Sequence, residues 1–284
     1  MLLFEHTLWI VLLAILLDAV IGDPDWLWSR FPHPVTLLGK FISYMDRTYN
    51  KPEYPRSMRK TNGVFALVAL ILCAAFAGVF LQAVLSYLPF ADVLIALVGM
   101  TLIAQKSLYQ HVARVRDALR NSGLTEARKQ VSMIVGRNPD YLDEAGVSRA
   151  AIESCSENFS DGVVAPIFWF AVLGLPGLFM YKAVNTADSM IGHKNETYQD
   201  FGWASARLMI SSTCPPRGSP AFSLCWQRWF HDAPTKPPQQ PSSKKQKTTA
   251  PPTQAGQKLQ WRAHWVWHWQ AHANMQNTAW KTLS

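Results

Sequence analysis

The sequence predicts an all-α, multi-spanning membrane protein with an irregular carboxy-terminal tail. Residues 1–21, 63–105 and 163–181 are strongly apolar, although the mean hydropathy of the whole chain is +0.00. The basic residues crowd into the stretches between those segments, and the last quarter is polar and rich in Pro. A helix that crosses the hydrocarbon core needs about 20 apolar residues, so about four spans are expected.

The first span is Leu8 to Ile21. It opens on Met-Leu-Leu-Phe-Glu-His, without a basic segment, and no small-x-small cleavage site follows. It therefore reads as a retained membrane helix rather than a signal peptide. Gly63 to Leu88 is long enough to cross, and Pro89 ends it. Ala91 to Ala104 is shorter, a marginal span or one extended to Leu108. Loops 22–62 and 106–162 then share one side. They carry seven and eight Lys or Arg, which predicts that both are cytoplasmic. The same pattern accounts for the net charge of +8 better than nucleic-acid binding does. Residues 106–135 alternate basic and apolar positions at helical spacing. They suit an amphipathic helix on the membrane surface, or a solvated helix packed on a neighbour. Val163 to Tyr181 contains Gly174-Leu-Pro-Gly177, a turn signal within an apolar run. A kinked span is the default reading and a re-entrant hairpin the alternative, and the hairpin would bring its two polar flanks together. The four cysteines, Cys73, Cys155, Cys214 and Cys225, show no metal-like spacing, which argues against a disulfide framework or a zinc site.

Those flanks hold the polar residues that could carry chemistry. Arg149, Glu153, Glu157 and Asp161 are four apart and form one row on a helix. Such a row can hold magnesium with its waters, or simply be a solvated face. Asn158 and Ser160 add neutral hydrogen-bonding groups. On the other side come Lys182, Asn185, Thr186, Asp188, Lys194 and Arg207. Asn185 and Asp188 share a helix face, and Lys194 and Arg207 suit phosphate or a positive-inside anchor. Asp18 lies in the first apolar run, and His33 sits between two prolines.

Several long motifs carry a resemblance to a known family. They are Leu17-Asp-Ala-Val-Ile-Gly-Asp-Pro24, Pro32-His-Pro34, Ala151-Ile-Glu-Ser-Cys-Ser-Glu-Asn-Phe-Ser-Asp-Gly-Val-Val-Ala-Pro166, Tyr181-Lys-Ala-Val-Asn-Thr-Ala-Asp-Ser-Met190 and Phe201-Gly-Trp-Ala-Ser-Ala-Arg207. Over residues 8–208 the chain resembles adenosylcobinamide-phosphate synthase, a membrane ligase of cobalamin biosynthesis. The resemblance implies amide formation between adenosylcobyric acid, a corrinoid, and aminopropanol or its phosphate. It implies ATP and magnesium, a multi-pass place in a bacterial inner membrane, and other cobalamin-pathway proteins as partners. By that analogy Glu153, Glu157 and Asp161 are the catalytic and magnesium-binding candidates. Asn158, Asn185, Asp188, Lys194 and Arg207 are the substrate-binding ones. A corrinoid-binding or transport protein without catalysis is the alternative.

Residues 1–208 thus read as an incomplete synthase domain and 209–284 as a separate tail. The tail holds seven of the twelve Trp and no apolar span. A disordered, basic tail is one reading, and a shifted reading frame is the sharper one. In the frame one base upstream, the codons of Trp265 to Gln270, with the last base of His264, give Leu-Gly-x-Ala-Leu-Ala. Met209 onward is compatible with Asp-Asp-Leu-Ile-Asn-Val-Pro. Thr248 to Trp261 is compatible with His-Arg-Ser-Pro-Asn-Ala-Gly-Trp-Pro-Glu-Ala-Ala-Met. These strings resemble the missing carboxy-terminal motifs of the family, so the chain as written is expected to be a poor enzyme.

Overall fold

The computed structural model describes residues 2–23, 28–30, 32–135, 139–193 and 195–213. Among the described residues all regular structure is helical. In chain order the helices are α1 (Leu2–Val20), α2 (Pro34–Tyr49), α3 (Arg56–Ser86), α4 (Ala91–Met100), α5 (Gln105–Asn121), α6 (Leu124–Ser132) and α7 (Glu144–Phe159). One π-helical turn (Ser160–Val164), α8 (Ala165–Ile191) and α9 (Trp203–Thr213) follow. Among the described residues three helical stretches are long and apolar enough to cross a membrane: Arg56–Ser86, Ala91–Asn121 and Glu144–Ile191. His6–Val20 is a shorter apolar helix, which makes up the expected number of apolar segments.

Among the described residues, only α3 is a long unbroken rod crossing the whole bundle. Its 31 residues run about 45 Å at 1.5 Å per residue. Ala66, Leu67, Leu70, Ala74 and Gly78 form its buried stripe. Phe65, Leu72, Phe76 and Phe80 stand exposed on the other side, as a lipid-facing surface should.

The second stretch breaks half-way. Helix α4 has 10 residues, about 15 Å, against a hydrocarbon core of about 30 Å. Residues 101–104 leave the helix, and α5 resumes at Gln105. The end of α1 lies against this break. Asp18 Oδ2 accepts the Gln105 amide at 2.9 Å and the Lys106 amide at 3.3 Å, which pairs backbone donors that the start of a helix leaves open. Lys106 Nζ in turn donates to the Val20 and Ile21 carbonyls at 2.6 and 3.0 Å. At the opposite end of this pair of helices His6 meets Asp92 at 3.1 Å.

The third stretch folds back on itself. Gly174 adopts φ 66°, ψ −153°, a region essentially restricted to glycine. Tyr181 Oη donates to the Asp161 carbonyl at 3.0 Å. In a straight helix those residues would be roughly 30 Å apart. Residues 159–191 are therefore a helical hairpin with its tip at Gly174. Gln82 of α3 holds the tip, its Oε1 accepting the Leu175 amide at 2.9 Å. Gly78 admits it, since a Cβ there would lie 2.6 Å from Pro176 Cα. The return arm, Leu175 to Ile191, extends about 25 Å. Of the two readings of 163–181, the hairpin is the one that forms.

The basic loops gather at the end away from the tip. Arg59 donates to the Glu196 and Thr197 carbonyls, and the Ala104 amide donates to the Gly162 carbonyl at 3.0 Å. Loops 22–62 and 106–162 thus share one end. Residues 2–7, 87–92 and 174–177 at the other end contain no Lys or Arg. Helices α5, α6 and α7 make a small core of their own, with Val115, Ala127, Val131 and Val147 buried. Residues 106–135 are accordingly packed helices rather than one strip laid on a membrane surface.

Leu208 is not a structural boundary. Helix α9 runs through it to Thr213, Met209 is fully buried, and Trp169 Nε1 donates to the Ser212 carbonyl at 3.2 Å. The first residues of the stretch read as a tail, 209–213, are helical, and Met209 fills the core between α3 and α8. The rest of that stretch, residues 214–284, lies outside the described residues.

A Cβ at Gly174 would lie 2.5 Å from Gln82 Oε1 in addition to the backbone strain. Gly174→Ala should destabilise the protein by about 2 kcal/mol or more. Gly162→Ala, where the new Cβ meets only ordinary contact at 3.6 Å, should be nearly neutral. Thermal unfolding midpoints in one detergent check this pair.

Candidate functional site

The break after α4, the α1–α2 loop and the base of the hairpin converge on one cavity of about 100 Å³. Its polar lining comes from Asp23, His33, Thr101, Ser107, Asn158, Asp161, Lys182, Asn185, Thr186 and Ser189. Measured along α4 it begins about 15 Å from the far end, near half the depth of a bilayer core. The hairpin is what lets residues from both flanks of an apolar run meet there.

Each group reaches the cavity for a local reason. Pro34 starts α2, and His33 caps it, its Nδ1 accepting the Val35 amide at 3.2 Å. Nε2 lies 3.2 Å from the Thr101 carbonyl. A ring that accepts at Nδ1 and donates at Nε2 is the neutral Nε2–H tautomer. Burial, and then the charge of Lys182, lower the His33 pKa from 6.5 to about 3, with the Thr101 bond opposing weakly. Asp161 lies in the π turn, which rotates it out of the i, i+4 row. Asn158 donates to Ser154 at its carbonyl (2.8 Å) and its Oγ (3.1 Å). Asn185 Nδ2 lies 3.9 Å from Met209 Sδ. Lys182, half-buried, has Asp23, Asp161 and Asp18 as the carboxylates near enough to act on its charge.

The sequence-derived candidates divide accordingly. Asn158, Asp161 and Asn185 line the cavity. Glu153 and Glu157 do not, and among the described residues no three His, Cys, Asp or Glu side chains gather as a metal would need. The row assumed α-helical spacing through Asp161, and the π turn ends that spacing. Asp188 is buried but turned to the end of its own helix, where its Oδ1 lies against Gly192. Arg207 sits over the Trp203 ring, 5.5 Å from its centroid, not in the cavity. Lys194 lies outside the described residues. Sequence reasoning did not select Asp23, His33 or Lys182 as site residues. Their signal was an ionisable group beside an apolar run, which is a functional candidate at membrane depth.

The comparisons with known proteins agree with the motifs. The CobD/Cbib protein family matches residues 11–241. The chain belongs to that family. The match runs past Leu208, where the recognisable motifs stop. "Cobalamin biosynthesis protein CobD" of Rhizobium meliloti (strain 1021) is 54% identical over 222 residues, which cover 78% of this chain and 68% of that protein. Its namesake in Brucella suis is 53% identical over 205 residues, 72% of this chain and 63% of that protein. The one in Rhodobacter capsulatus is 44% identical over 201 residues, 70% and 62%. The chain therefore spans about two thirds of the length of the family members it matches. No solved structure matches it.

His33 must stay neutral in the folded protein, so acid should unfold it selectively. Its folded value of about 3 lies below the ordinary 6.5. Its contribution is complete above pH about 6.5 and is lost as pH falls towards 3, by up to roughly 1.4 kcal/mol per pH unit. His33→Gln should flatten that part of the pH dependence, read as unfolding midpoints between neutral and mildly acid buffer. Parallel curves for the two proteins would contradict the assignment.

Proposed function

We propose that the chain acts in cobalamin biosynthesis as an amide ligase of a bacterial inner membrane, joining an aminopropanol-type amine to a side-chain carboxylate of a corrinoid. The supporting observation is the placement of Lys182 with Asp23, Asp161 and a set of neutral hydrogen-bonding groups in one cavity. The names of the relatives support the pathway. At about 100 Å³ the cavity is below the usual size of a pocket for a drug-sized ligand. It suits the reacting ends of two substrates, with the corrin ring outside.

In this reading the Lys182 ammonium holds an anionic oxygen of substrate. Asp161 takes the proton that the substrate ammonium must lose before its nitrogen can attack. Asn158, Asn185, Thr186 and Ser189 orient the two ends. ATP, when bound, supplies the activation that lets the carboxylate lose an oxygen. Magnesium is usually held by one or two carboxylates together with phosphate oxygens and water. The oxygen-rich cavity fits that pattern through Asp23 and Asp161, and Glu153 and Glu157 lie outside its lining.

The test is ATP-dependent amide formation by the reconstituted protein. Lys182→Gln should lower it about 10- to 100-fold, the worth of one charge-assisted contact, and Glu153→Gln should leave it within about threefold. Corrinoid binding without amide formation would favour the binding-protein alternative. The tail bears on the same assay. Restoring one base near codon 208 should raise activity in a strain that depends on this step, and equal complementation by both forms would reject the shifted frame.

A further inference from the structure

We propose that Lys60, Trp203 and Arg207 form a binding site for the phosphate of an anionic lipid at the basic end of the bundle. Lys60 Nζ stands 3.8 Å from the centroid of the Trp203 ring and the Arg207 guanidinium 5.5 Å from the same centroid. The two cations are thus within roughly 9 Å of each other. Neither takes part in an ion pair among the described residues, and Arg56, one turn before Lys60, is also exposed. The arrangement is built by the fold. Trp203 and Arg207 lie one turn apart on α9, and α9 begins where the Phe201 carbonyl is pressed against Gly63 of α3. Two like charges held on one indole repel, and the ring offsets this only in part. An anion bound beside the ring offsets the repulsion and gains charge-assisted hydrogen bonds from the cations it reaches.

The surroundings identify the anion as part of an amphiphile. Lys60 stands three residues before Gly63, where the apolar run of α3 begins. Val64 and Phe65 follow on α3, and Ile210 lies one turn past Arg207 on α9. All three are exposed apolar side chains. Trp203 itself is 39% exposed, as befits an indole at a membrane–water boundary. A basic pair over a hydrocarbon-facing surface is matched by a phosphate head with acyl chains below it. Nothing in this site belongs to the cavity, so it stands apart from the ligase reading.

The full chain is placed in nanodiscs of phosphatidylcholine with a minor fraction of phosphatidylglycerol, and co-purifying lipid is counted by native mass spectrometry. Phosphatidylglycerol should be retained over phosphatidylcholine. Lys60→Gln with Arg207→Gln should cut that preference by about threefold or more. Arg114→Gln with Arg120→Gln, which removes the same charge from α5, should leave it unchanged. Unfolding midpoints in pure phosphatidylcholine confirm that both pairs fold. Equal retention of the two lipids, or an equal loss in both variant pairs, overturns the proposal. So does full displacement of phosphatidylglycerol by inorganic phosphate at low concentration, which would mark a soluble-anion site.

Discussion

A backbone amide without a partner at membrane depth costs several kcal/mol, and this chain leaves its helices at that depth in several places. Three of these breaks are matched by a polar side chain from another part of the sequence. Asp18 pairs the amides at the start of α5. His33 reaches the carbonyl of Thr101 where α4 has just ended. Gln82 accepts the amide of Leu175 after the reversal at Gly174. These bonds let irregular backbone exist inside the bundle, and irregular backbone is what opens the cavity. The rule that limits membrane proteins to helices thus also decides where a polar site can form.

The cavity follows from that economy of partners. Two helices, α1 and α4, come from the far end and stop beside it, while α3 passes it without a break. The hairpin brings Asp161 back to the level of Tyr181. Acidic groups from α1, from the loop after it and from the π turn consequently face one ammonium on the return arm. No single segment carries the site, and none of its charges would be tolerated alone at this depth.

Much of this was legible in the sequence. Apolar runs located α1, α3, α4 and the hairpin, and the Gly-Leu-Pro-Gly string marked the reversal. The motif around Asp161 and the one around Asn185 both supplied cavity residues. Other parts were hidden for physical reasons. A spacing of four predicts one face only while the helix stays α, and the turn at Ser160–Val164 is π. Lys182 reads in the sequence only as one of several polar residues on a flank, because nothing local reveals that the segment before it doubles back. Gln82, a lone amide in an otherwise apolar run, was a signal whose partner lies 93 residues away. The motifs likewise end at Leu208, but packing does not, because Met209 keeps the helical stripe going.

The distance from Gln82 to Leu175 also has a meaning in time. Ribosomes add about 5–20 residues per second, so Gln82 leaves the ribosome several seconds before the amide it will accept. During that interval its side chain lies among apolar neighbours on a helix already made. Its nearest helical competitor is the hydroxyl of Ser86, which donates to the Gln82 carbonyl at 2.7 Å and leaves the amide side chain uncommitted. The first long helix therefore enters the bilayer carrying a vacant acceptor, and the hairpin that follows is the segment able to fill it. Synthesis thus presents the scaffold first, and the element that completes the cavity follows it.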